Sequence, residues 1–72
     1  MSVRDYRVTV EGELSDSMGA AFAGMTLTRL HGNTVLEGPI RDQAELQGLL
    51  QRVSSLGLTL LSAAAVDVPH RL

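Results

Sequence analysis

The chain has 72 residues, no Cys, 8 acidic residues against 6 Arg, no Lys, and a formal net charge of −2. A chain of this length is one domain that hides only about 60% of the surface its unfolded form exposes, so such scaffolds lean on disulfides, a metal or self-association. Without Cys or Lys, disulfides, thiolate metal sites, thiol nucleophiles, Schiff-base chemistry and a phosphate-loop lysine are excluded, and the 2 His, in a turn and in the tail, make no metal staple.

Self-association is therefore the expected source of extra stability. A nucleic-acid partner is not expected. The Arg residues are scattered and mostly have acids nearby, and Tyr6 and Phe22 are the only aromatic side chains available for stacking. The charged N-terminus carries no apolar run, so it does not read as a secretory signal. The longest nearly apolar stretch, 58–66, is far shorter than the roughly 20 residues of a membrane span. No cofactor, no membrane partner and a cytoplasmic location are the corresponding expectations.

From Tyr6 the chain alternates, with Tyr6, Val8 and Val10 on one side and Arg7, Thr9 and Glu11 on the other, which predicts a half-buried strand. Residues 15–24 fit either a short helix or an ordered loop. Ser15 or Asp16 would cap the helix, Met18 and Phe22 would share its inner face, and Gly24 would end it.

Residues 25–40 read as a hairpin with Gly32-Asn33 as a two-residue turn. That register sets Leu30 opposite Val35 and Thr28 opposite Glu37. Met25, Leu27, Leu36 and Ile40 then share one face; Thr26, Thr28, Leu30, Val35 and Glu37 share the other. A three-residue turn would scramble this sorting, because a slip of one residue moves every side chain to the opposite face.

Asp42 with Glu45 three residues later has capping-box spacing, and Leu46, Leu49, Leu50, Val53 and Leu56 recur on one helix face. Gly57 reads as a left-handed stop with Leu58 folding back on Val53, so a helix is expected over about 43–56. Residues 58–66 fit a strand or a continuation of the helix. As a strand they would group Leu58, Leu60, Ala64 and Val66 against Leu61, Ala63 and Ala65. Two dry faces call for a central position or for cover by another subunit. Residues 1–5 and 67–72 read as tails.

The run Thr34-Val35-Leu36-Glu37-Gly38-Pro39-Ile40, then Asp42-Gln43-Ala44-Glu45-Leu46, Gly48-Leu49-Leu50, Val53, Leu56-Gly57-Leu58 and Leu60-Leu61-Ser62, resembles a group of short uncharacterised proteins from actinobacteria. The likeness runs from about Tyr6 to Val66, and its most specific element is Asp42-Gln43 joined to Leu56-Gly57-Leu58. It implies a strand, a Gly-bounded hairpin, a helix and a final strand, and it implies no activity. In that group the segment before the second strand tends to carry Trp. Here the corresponding positions are Met18 and Ala21, with Phe22 retained, so an aromatic pocket there would be reshaped.

Catalytic candidates reduce to simpler roles. His31 is of the residue type most used for acid–base work near neutrality, but it reads as an exposed turn residue. The Asp42–Glu45 spacing is accounted for by capping, and the serines lack a nucleophile's surroundings. Met18, Phe22 and Met25 are the candidate lining of a small pocket, with core filling as the plainer reading. Leu30, Val35, Leu60, Leu61 and Ala63 form a candidate contact surface.

The expected fold is α+β: a single four-stranded sheet with one main helix on one face, in the order β(α)ββαβ. If 15–24 is helical, that order matches ferredoxin-like domains, which host many unrelated activities. The expected function is a non-enzymatic, homo-oligomeric interaction module. The alternative is a small-molecule binding or sensing domain with its ligand at a subunit junction.

Overall fold

The computed structural model describes residues 3–66. In chain order these form β1 (Arg4–Glu11), α1 (Asp16–Gly19) running into a 3-10 turn (Ala20–Phe22), β2 (Thr26–Leu30), β3 (Asn33–Ile40), α2 (Gln43–Ser55) and β4 (Leu60–Val66). The four strands make one antiparallel sheet in the order β2-β3-β1-β4. The expected α+β architecture is the one observed.

The alternation in β1 does what its period dictates. Val8 and Val10 are fully buried beneath α2, opposite Leu36 and Thr34 of β3, while Arg7 and Glu11 face outward. Leu49 and Val53 of α2 close over Val8, Val10, Leu36 and Ile40, and Phe22 and Leu14 complete the core. Arg4 and Asp5, read from sequence as tail, belong to β1 and pair with Ile40 and Pro39. Residues 67–72, also read as tail, lie outside the described residues together with His70 and Arg71.

The helix ends follow local chemistry. The Asp42 side chain accepts from Glu45 N at 2.9 Å, and Glu45 reaches back to accept from Arg41 N at 2.7 Å, one residue beyond the usual capping-box partner. At the other end Gly57, at φ +74°, donates to Ser54 O, and Leu58 donates to Val53 O. That pair of bonds is a Schellman ending, with Leu56 as the cap rather than the last helical residue. Residues 15–24 resolve as a short helix. Ser15 is its cap, accepting from Met18 N, and Gly24 has φ +91°.

Two registers differ from the sequence reading. The hairpin turn is His31-Gly32, one position earlier than expected, with φ +54° and +79°. Both central residues are then left-handed, as a type I′ turn requires, and Gly takes the second place. Leu30 consequently pairs with Asn33, Thr28 with Val35 and Leu27 with Leu36. Every partner moves by two residues, so the face assignments survive while the expected Leu30–Val35 pair does not.

In β4, a bulge beside Thr9 and Val10 skips Leu61, setting Leu60 opposite Val10 and Ser62 opposite Thr9. Leu60 therefore pairs in line with Ala63 and Ala65, whose partners are Val8 and Tyr6, and the grouping of Leu60 with Ala64 and Val66 is overturned.

Candidate interaction surface

β4 is an edge strand among the described residues: β1 lies on one side of it, and no described strand lies on the other. An edge presents unpaired backbone N–H and C=O groups. Proteins blunt such edges with charge, Pro, shortness, a bulge or a covering element. Leu60–Val66 has seven residues, none charged and none Pro, and its bulge lies at the first two. The opposite edge, β2, has five residues, including Arg29.

Both surfaces of β4 reach solvent. Leu60 is 43% and Leu61 50% exposed, and Ser62, Ala63 and Ala64 are exposed as well. Ala63 faces Val8 across the strand pair, yet Val8 is fully buried and Ala63 is not. The difference arises because α2 closes over β1 and β3, and among the described residues nothing covers the outermost strand on the helix side.

The sheet face away from α2 carries Asp5, Arg7, Glu11 and Glu37 towards its middle strands and uncharged residues on β2 and β4. One row crosses all four strands as Thr28, Val35, Thr9 and Ser62. The next crosses as Thr26, Glu37, Arg7 and Ala64, with the Arg7–Glu37 ion pair at 3.3 Å in its middle. That pair is well exposed and contributes little stability.

Leu60, Leu61 and Ala63 therefore share one edge, while Val35 sits half-buried at the centre of the open face. Leu30, 53% exposed, lies on β2, with β3 and β1 between it and β4. The structure gathers three of the five candidate contact residues and leaves Leu30 remote from them.

The remaining candidates are placed as follows. His31 is exposed in the turn. Asp42 and Glu45 are engaged at the start of α2, where hydrogen bonds from Arg41 N and the Arg41 guanidinium hold the Glu45 carboxyl below its ordinary range. Phe22 is inside the core and Met18 is packed against it. Met25, also against the core, lines a groove of about 380 Å³ with Ile40, Leu49 and Gly48, with Glu45 and Arg52 at its rim.

Gly48 was not singled out by the sequence reading, although a glycine inside a helical pattern was a visible signal. A Cβ placed there would meet nothing within 4 Å, so packing does not require glycine. Arg52, on the same rim, donates to Ala21 O at 3.3 Å and ties α2 to the 3-10 turn.

Among the described residues no group of three or more His, Asp and Glu could hold a metal ion. No helix among them is long and apolar enough to cross a membrane.

No curated protein and no solved structure matches the chain. A match to the family described as Domain of unknown function (DUF8691) extends over residues 5–64, from the second residue of β1 into β4, and the chain belongs to that family.

Proposed function

We propose that this domain is a non-enzymatic, self-associating interaction module whose contact surface is the β4 edge and the adjoining open face of the sheet. The observation that carries the reading is β4 itself, an uncharged seven-residue edge strand exposed on both surfaces. A core of eight buried apolar residues among those described gives a further reason, because a domain this small gains from burying surface against a second copy. The element order and the strand order support a ferredoxin-like reading, and such a fold specifies no activity by itself. We place the module in the cytoplasm.

Native mass spectrometry of the purified chain, with Leu61→Arg and Val35→Glu beside it, tests the reading. The parent is expected as a dimer or larger closed oligomer, and Leu61→Arg is expected to dissociate it. A monomeric parent, or an oligomer unchanged in both variants, would remove the proposal.

The Gly48 groove favours a second reading, a small-molecule binding domain. Glycine inside a helix costs about 1 kcal/mol relative to Ala, and here its absent side chain leaves the apolar floor of Met25, Ile40 and Leu49 open. A ligand there would raise the thermal midpoint with concentration. Gly48→Leu should abolish that shift, and a metabolite screen that moves the midpoint of neither protein counts against this reading.

A further inference from the structure

We propose that the contact is a two-fold antiparallel pairing of β4 with β4 of a second copy, centred on Ala64, which joins two sheets into one of eight strands. This inference rests on the self-association reading above and specifies its geometry.

The choice of edge follows from the contrast between the two. β4 is uncharged, whereas β2 is shorter and carries Arg29, whose guanidinium is held by Leu14 O at 2.7 Å and Asp16 at 2.8 Å. An antiparallel addition continues the pattern of a sheet already antiparallel throughout, and antiparallel ladders are slightly more stable per residue than parallel ones. A two-fold operator makes the contact self-complementary, so one strand serves both sides, and it keeps both α2 helices on the same face of the joined sheet.

The register comes from the bulge. β4 is regular only from Ser62, opposite Thr9, to Val66, opposite Asp5, because the skip at Leu61 kinks the strand before that stretch. Pairing the whole regular stretch with itself sets Ser62 opposite Val66, Ala63 opposite Ala65, and Ala64 opposite Ala64. The facing side chains are small and uncharged, so the backbones approach without a steric or electrostatic penalty. A copy of the same chain is the occupant that supplies this match.

The absence of native Cys makes the geometry readable by single substitutions. Directly opposed residues have Cα atoms about 4.5–5.5 Å apart, within disulfide range, whereas residues offset by two positions are about 7–8 Å apart, beyond it. Under mild oxidation Ala64→Cys is therefore expected to shift from one chain mass to twice that mass. Ala63→Cys and Ala65→Cys, each alone, stay at one chain mass; mixed in equal amounts, they cross-link.

Ala63→Cys is as exposed as Ala64→Cys and so reports random collision. Far-UV circular dichroism of each variant checks that it is folded. If Ala63→Cys cross-links alone, or an oligomeric parent yields no cross-link at Ala64→Cys, this pairing is overturned while self-association stands. A parent that is monomeric by native mass spectrometry overturns both.

Discussion

The hydroxyl of Thr34, wholly buried on β3, accepts from Leu14 N at 3.0 Å and donates to Gly12 O at 2.7 Å. One side chain thus satisfies two backbone groups of the connection leaving β1. Thr34→Val keeps the shape and leaves the Leu14 N–H and Gly12 C=O without that partner, at a cost of about 1–3 kcal/mol for each group that stays dry. Thr34→Ser keeps the hydroxyl and should cost less. Urea denaturation of the three proteins gives the comparison, and equal losses in both variants would show that the hydroxyl is not the stabilising group.

Gly48 lies inside α2 with open space where a side chain would project. Gly48→Ala is therefore expected to stabilise the fold by about 1 kcal/mol, raising the thermal midpoint by about 4–8 °C for a domain of this size. A loss of stability instead would mean that the groove beside Met25 closes more tightly than the structure shows.

His31 holds φ +54° in a turn whose second residue, Gly32, is also left-handed. Asn adopts that conformation more readily, so His31→Asn should stabilise the hairpin by a few tenths of a kcal/mol and leave the oligomeric state unchanged. Calorimetry beside native mass spectrometry covers both parts. A change in oligomer mass would give this histidine a role at the contact.

Glu45 accepts from Arg41 N at 2.7 Å and from the Arg41 guanidinium at 3.4–3.5 Å, and these bonds hold its pKa below the ordinary value of 4.5. A folded-state pKa below the unfolded one contributes stability that is fully present above the unfolded value and is lost as pH falls through the folded one. Glu45→Gln is thus expected to be less stable than the parent at neutral pH and to converge with it on acidification below pH 4.5. Denaturation midpoints of both proteins across that range give the test, and a gap that stays constant with pH would remove this account of the helix start.

The parts legible in the sequence were those with local causes. The alternation from Tyr6 to Glu11 announced β1, and Asp42 with Glu45 announced the start of α2. Gly57 and Leu58 announced its Schellman ending; the two helix ends are closed by hydrogen bonds among near neighbours, whereas the strand was announced by its period of two alone. The hairpin was legible as to which residues share a face, since faces depend on parity alone. The choice of turn escaped by one residue, because His31 had to accept a positive φ that nothing in its own side chain demands.

The candidate surface was half legible. Leu60, Leu61 and Ala63 stood out as apolar residues without an evident burial partner, but their composition suited a helix as well as a strand.

The amino-acid sequence by itself determined β1, the faces of the hairpin and α2 with its two ends, because period and end-capping are properties of a few consecutive residues; it left 15–24 and 58–66 open between two conformations and grouped the faces of the last strand wrongly. Tertiary structure alone decided that β4 lies at the edge, that Leu61 is skipped and that α2 stops short of covering Ala63. Those outcomes depend on which strands pair across the whole chain and on the width one helix can cover, and neither quantity is written in any short stretch of sequence.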